Sequence, residues 1–137
     1  MKRLLSIRYT DNAVSFALLL LRVALGLMMM VPHGYPKLVG FAEKADRFSD
    51  PFGIGSTASL AMAVFAEFFC AVFIILGLFT RLSTIPLIVA MSVALFYSHN
   101  GELFRDGEKA ALFLTGFIVI LFVGPGKISL DKVLGGK

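Results

Sequence analysis

Four apolar runs, Ala13–Val31, Ala58–Phe79, Leu82–Ser98 and Ala110–Gly124, limit this chain to very few folds. A helix rises about 1.5 Å per residue and the hydrocarbon core of a bilayer is about 30 Å thick, so one crossing needs roughly 20 residues. The first two runs reach that length unaided. The other two reach it with flanking residues such as His99, Glu108 and Lys109, which sets the expected spans at about 13–31, 58–79, 82–99 and 108–124. Strands are a poor alternative, because the runs lack polar alternation and are too few to close a barrel. Composition agrees: 58% hydrophobic and 16% charged, with mean hydropathy +0.86, against about 45–50% and 25% in soluble domains. The expected fold is an all-α membrane protein, an antiparallel four-transmembrane-helix bundle forming a single domain over residues 1–137.

The connections refine this picture. Only Thr80-Arg81 separates the second and third runs, which demands a tight antiparallel hairpin. Between the first two runs, Leu38, Phe41, Ala45 and Phe48 recur at helical spacing, with Glu43, Lys44, Asp46 and Arg47 opposite. That pattern predicts a short interfacial helix between spans 1 and 2, after which Ser56 or Thr57 is placed to cap the second span. The basic start MKRLLSIRY resembles a signal peptide, but the run that follows is longer than a signal core and no small-x-small site ends it. It reads as a retained span.

Charge placement excludes several functions. The net charge of +4 is spread between apolar segments and forms no patch, so the partner is the lipid bilayer, with no nucleic acid. With an even number of spans, Lys2, Arg3, Arg8, Arg81, Lys127, Lys132 and Lys137 share a side against Lys37, Lys44, Arg47, Arg105 and Lys109. Seven against five favours a multi-pass protein with both termini in the cytoplasm. Cys70 stands alone, which rules out an intramolecular disulfide and a CxxC relay. No zinc-type spacing, GxGxxG or P-loop occurs, so no metal site is expected. His33 and His99 share a side, but nothing else in the chain supports haem ligation.

Arg22 is the anomaly, a cation inside the first apolar run. It costs about 2.5–3.5 kcal/mol at the centre of a helix on insertion scales. Counting inward from Val31 on the first span and from Ala58 on the second places Arg22 and Glu67 at the same depth, so they form the candidate intramembrane pair. Such a pair either fixes helix register or serves a ligand or a proton. Arg22, Gly26, Met29 and His33 recur on one helix face, and Gly26 leaves room for close packing or a bound group. At the outer mouth the spans bring up His33, Lys37, Tyr97, His99 and Glu108, the candidate pocket.

These residues form a recognisable pattern. LLRVALGLMMMVPHGYPKL resembles the first-span motif of the DoxX family, an Arg and Gly followed by His-Gly-x-x-Lys. AEFFCAVFIILGLFTRL is similar to its second-span motif, and GEKAALFLTGFIVILFVGPGKISLD to its last span with the closing Gly-Pro-Gly-x-x-Ser-Leu-Asp. The likeness runs from about residue 16 to 131 and matches at Arg22, His33, Gly34, Lys37, Glu67, Arg81, Glu108 and Asp131. It implies a four-helix protein of a prokaryotic cytoplasmic (inner) membrane, some relatives being subunits of thiosulfate:quinone oxidoreductase. It supplies no catalytic residue, and with Cys70 alone any thiol role must be indirect. The leading expectation is an oxidoreductase-associated subunit binding a quinone or a small sulfur-containing substrate near the outer leaflet, with a partner redox subunit or a second copy. The alternatives are a non-catalytic scaffold subunit and a small transporter.

Overall fold

The computed structural model describes residues 3–135, so Lys2 and Lys137 of the charge balance above lie outside the described residues. Among the described residues every regular element is helical. Helix α1 runs unbroken over Asp11–Val39, α2 is the single turn Phe41–Lys44, α3 spans Ser56–Leu76, and α4 spans Thr80–Ser98. Helix α5 follows over Glu108–Val123 and α6 over Leu130–Gly135. Three of these, α1, α3 and α4, are long and apolar enough to cross a membrane. Helix α5 is apolar throughout, but its 16 residues extend only about 24 Å.

The first helix is longer than its apolar run. Proline at 32 and 36 removes two N–H donors, yet the chain stays helical because Met30–Gly34 winds as a π-helical turn in which Tyr35 donates to the Met30 carbonyl. The span therefore continues from Val31 to Val39, about 12 Å farther than hydropathy suggested. Leu38 belongs to that extension, and the expected interfacial helix shrinks to the one turn of α2.

Helix α3 also starts differently from expectation. Neither Ser56 nor Thr57 caps it. Gly55 occupies the cap position with φ +105°, and Asp50 accepts from the backbone N–H of Ile54 (2.9 Å) and Gly55 (2.8 Å) and from the Ser59 hydroxyl (2.9 Å). The Gly55 hydrogen bond, with those of Ser59 and Ile54, holds the Asp50 carboxyl below the usual carboxylate range despite slight desolvation. Between α3 and α4, Gly77 adopts the left-handed conformation (φ +69°) and closes the helix: Leu78 N–H donates to Phe73 O (2.9 Å) and Gly77 N–H to Ile74 O (3.1 Å).

The core draws on all four long elements: Met29 from α1, Cys70, Ala71 and Ile74 from α3, Leu87 and Met91 from α4, and Phe113, Phe117 and Ile120 from α5. Glycines set the closest approach. A Cβ on Gly26 would strike Ile75 and the Ala71 carbonyl, so Gly26 serves helix packing rather than a bound group. At Gly34 the contact is tighter still, and a Cβ would run into the backbone of Glu67 and Phe68. These two contacts fix which residues of α1 and α3 share a level.

Candidate functional site

At the level of Gly34, three helices loosen together. Alongside Met30–Gly34, residues Phe65–Cys70 of α3 and Ala94–Ser98 of α4 each wind as a π-helical turn, the last marked by His99 N–H donating to Ala94 O (3.1 Å). Such turns widen a helix and rotate the side chains that follow. Here they carry His33, Glu67 and Tyr97, and His99 follows directly.

Glu67 meets Lys37 at this level. The Lys37 ammonium donates to Glu67 Oε2, and the two side chains retain only 22% and 10% of their exposure. Lys37 stands one helical turn beyond His33, so Gly34 brings the backbones together and Lys37 reaches across the contact. His33, Lys37 and Glu67 line a cavity of about 620 Å³ with His99, with Arg105 and Asp106 of the α4–α5 connection, and with Glu108 and Lys109 at the start of α5. The His33 ring is set edge-on to Phe113, centroids 6.1 Å apart. Four of the five residues expected at the mouth thus line one cavity. The fifth, Tyr97, lines a neighbouring cavity instead.

That second cavity, about 530 Å³, lies between α3 and α4 and is almost entirely apolar. Met62, Phe65 and Ala66 form one wall and Pro86, Val89 and Ala90 the other, with Phe48 and Phe52 of the α2–α3 loop across it. Lys37, Glu67 and Ala94 border both cavities. The ion pair therefore divides a polar space from an apolar one.

Arg22 does not reach this site, and the expected Arg22–Glu67 pair is not formed. Arg22 lies twelve residues before Gly34 on α1, about 18 Å away along the axis. Taking Val31 as the end of α1, when it runs to Val39, accounts for eight of those twelve residues. Arg22 is instead buried to 1% exposure at the other end of α3, where Nη1 donates to Ile74 O (3.3 Å) and Nη2 to Ile128 O. Ile74 belongs to the last turn of α3, at the negative end of the helix dipole, and Arg22 adds a second donor to a carbonyl that Gly77 N–H already serves.

The closing segment completes this second centre. Asp131 accepts from Phe79 N–H (2.7 Å), Thr80 N–H (2.9 Å) and the Thr80 hydroxyl (2.7 Å), so it caps α4 from the far end of the sequence. Asp131 N–H in turn donates to Gly77 O (2.8 Å), and a Cβ on Gly77 would collide with Arg22 Nη1 and Ser129. Desolvation works to raise the Asp131 carboxyl, but the Thr80 and Phe79 hydrogen bonds and the Arg22 charge outweigh it and hold the carboxyl below its ordinary value. Arg81 donates to Phe122 O (3.3 Å) at the end of α5, and Lys127 N–H to the buried Ser15 hydroxyl (3.2 Å). Among the described residues no group of three or more His, Cys, Asp or Glu is placed to hold a metal. Cys70 is buried in the core.

Comparison with known proteins adds three findings. The DoxX family model matches residues 17–100. The inner membrane protein YphA of Escherichia coli is 27% identical, the alignment covering 93% of this chain and 98% of that protein. An uncharacterised protein of Haemophilus influenzae is 32% identical over 85% of this chain and 90% of its own length. No solved structure matches the chain.

Proposed function

The chain belongs to the DoxX family of integral membrane proteins, and from that premise we propose that it is a redox-associated subunit binding a quinone or a small sulfur-containing substrate at Lys37 and Glu67. One observation carries the reading: a largely enclosed ion pair lining a cavity that His33 and His99 also line. An ion pair in an apolar bundle is costly unless it is well bonded, and ionisable groups within membranes are functional by default. Lys37 and the two imidazoles are donors for a carbonyl or sulfur-bound oxygen, and Glu67 is an acceptor for a hydroxyl. Quinone reduction takes up two protons, and the exposed Asp106, Glu108 and Lys109 line the same cavity as the pair, so that in this reading they supply the protons from water. The electrons come from a partner redox subunit in this reading.

The architecture that goes with it is an antiparallel four-helix bundle, with α5 as the fourth span. Its supports are the apolar sequence of Glu108–Val123, the tight turn at Gly77 and the Lys127–Asp11 contact of 3.3 Å that joins the two ends of the chain. The lysine and arginine balance favours both termini in the cytoplasm, which sets the Lys37–Glu67 cavity toward the outer leaflet. The printed name of the E. coli relative favours the inner membrane.

The test is binding by the full chain in lipid nanodiscs, with a short-tailed quinone and with thiosulfate as separate ligands. One of them is expected to bind, and Lys37→Met and Glu67→Gln to weaken it at least tenfold. Failure of both ligands to bind the unmodified protein overturns the reading.

A further inference from the structure

The apolar cavity between α3 and α4 has a position that the proposed site alone does not require. Its walls open outward from the helices: Met62, Phe65, Ile85 and Val89 are 43–51% exposed and lie within two helices long and apolar enough to cross a membrane, which is the placement of a lipid-facing opening. Pro86 stands in its α4 wall and cannot donate to the Leu82 carbonyl one turn earlier. Its inner limit is the Lys37–Glu67 pair, and beyond that pair lies the polar cavity. We propose that this cavity receives the hydrocarbon tail of a neutral, membrane-dissolved quinone whose head reaches Lys37 and Glu67 from the lipid side. The inference rests on the reading of that pair as the ligand site.

Charge decides the occupant. Lys37 and Glu67 neutralise each other, and no other charged side chain lines the apolar cavity among the described residues. A phospholipid head would bring a phosphate with no free cation to meet it, at the cost of burying an uncompensated charge. A quinone head brings only carbonyl oxygens, which the Lys37 ammonium and the Tyr97 hydroxyl at the border can each serve by donating a hydrogen bond. The tail then lies against Met62, Phe65 and Val89, and Phe48 and Phe52 close over it. A water-soluble sulfur compound has no use for this space.

The experiment compares three ligands on the full chain in nanodiscs of one lipid composition: decylubiquinone, the same ring without its tail, and thiosulfate. Ala90→Phe and Ala63→Phe fill the cavity from opposite walls and leave the polar cavity untouched. Taking the variant-to-native ratio for each ligand cancels partition into lipid. The expected result is a tenfold or larger loss for decylubiquinone with the tail-less ring changed less than twofold, in whichever of the two variants keeps the native unfolding temperature. If both quinones weaken alike, or neither weakens, the tail site is overturned while the Lys37–Glu67 site stands. If thiosulfate alone binds, the site stands and the lipid-side route is overturned. If nothing binds, both readings fall.

Discussion

Arg22 and Lys37 are two cations on one helix with different duties, and substitution separates them. Arg22→Met removes a second donor from the Ile74 carbonyl, which keeps Gly77 N–H, and the recorded donor from the Ile128 carbonyl, and an unsatisfied polar group away from water costs about 1–3 kcal/mol. Thermal unfolding in detergent is expected to fall accordingly, with ligand binding at the far end unchanged in the fraction that stays folded. Lys37→Met or Glu67→Gln breaks a pair that is mostly buried, for which a loss of about 3 kcal/mol is the expected scale. The double variant Lys37→Met, Glu67→Met recovers most of that stability, because an apolar replacement removes both desolvation penalties, while binding stays lost. Recovery of binding together with stability would leave the pair a register device only.

At the scale of elements, the sequence exposed the helices and hid their offsets. Hydropathy marks where a chain is apolar, and it found α3 and α4 to within a few residues. It could not find the end of α1, because Pro32 and Pro36 look like a stop and the π-helical turn that carries the helix past them leaves no hydropathy signal. The Arg22–Glu67 expectation inherited that error, whereas His33, Lys37, His99 and Glu108 fall beyond or at the ends of the apolar runs, and they line one cavity. His33 and Lys37, four residues apart and flanking a glycine, are the signal that points to Lys37 as the partner of α3. Gly34→Ala tests the contact itself: its methyl would enter the Glu67 backbone, and overpacking of this kind costs about 1–3 kcal/mol. Loss of ligand binding should accompany the loss of stability there, since parting α1 from α3 also parts Lys37 from Glu67. Asp131 offers a pH test. Its carboxyl sits below the ordinary 3.8 when folded, so it stabilises fully above that value and the contribution fades as pH falls through the lowered one. Asp131→Ala is expected to cost about 0.5–2 kcal/mol at neutral pH, the scale of a lost helix cap, and to flatten the acid limb of the unfolding-temperature profile. An unchanged acid limb would show that Asp131 does not bear that load.

For the whole molecule, the two polar centres divide the work between two levels of α1, fifteen residues apart. One, around Lys37 and Glu67, is open, loosened by three π-helical turns and bordered by two cavities. The other, around Arg22 and Asp131, is closed by hydrogen bonds that link α1, the turn between α3 and α4 and the start of α4 with the segment after α5. The closed level has a consequence for how the chain is made. Arg22 and Ile128 are 106 positions apart, so during synthesis the guanidinium lacks its Ile128 partner until the segment after α5 has been made. The α4 cap supplied by Asp131 arrives just as late. That segment thus works as a late latch, and a chain halted after Gly124 should insert yet stay open to proteases. Release of such a chain from the translocon with ordinary lifetime would show that the latch is dispensable.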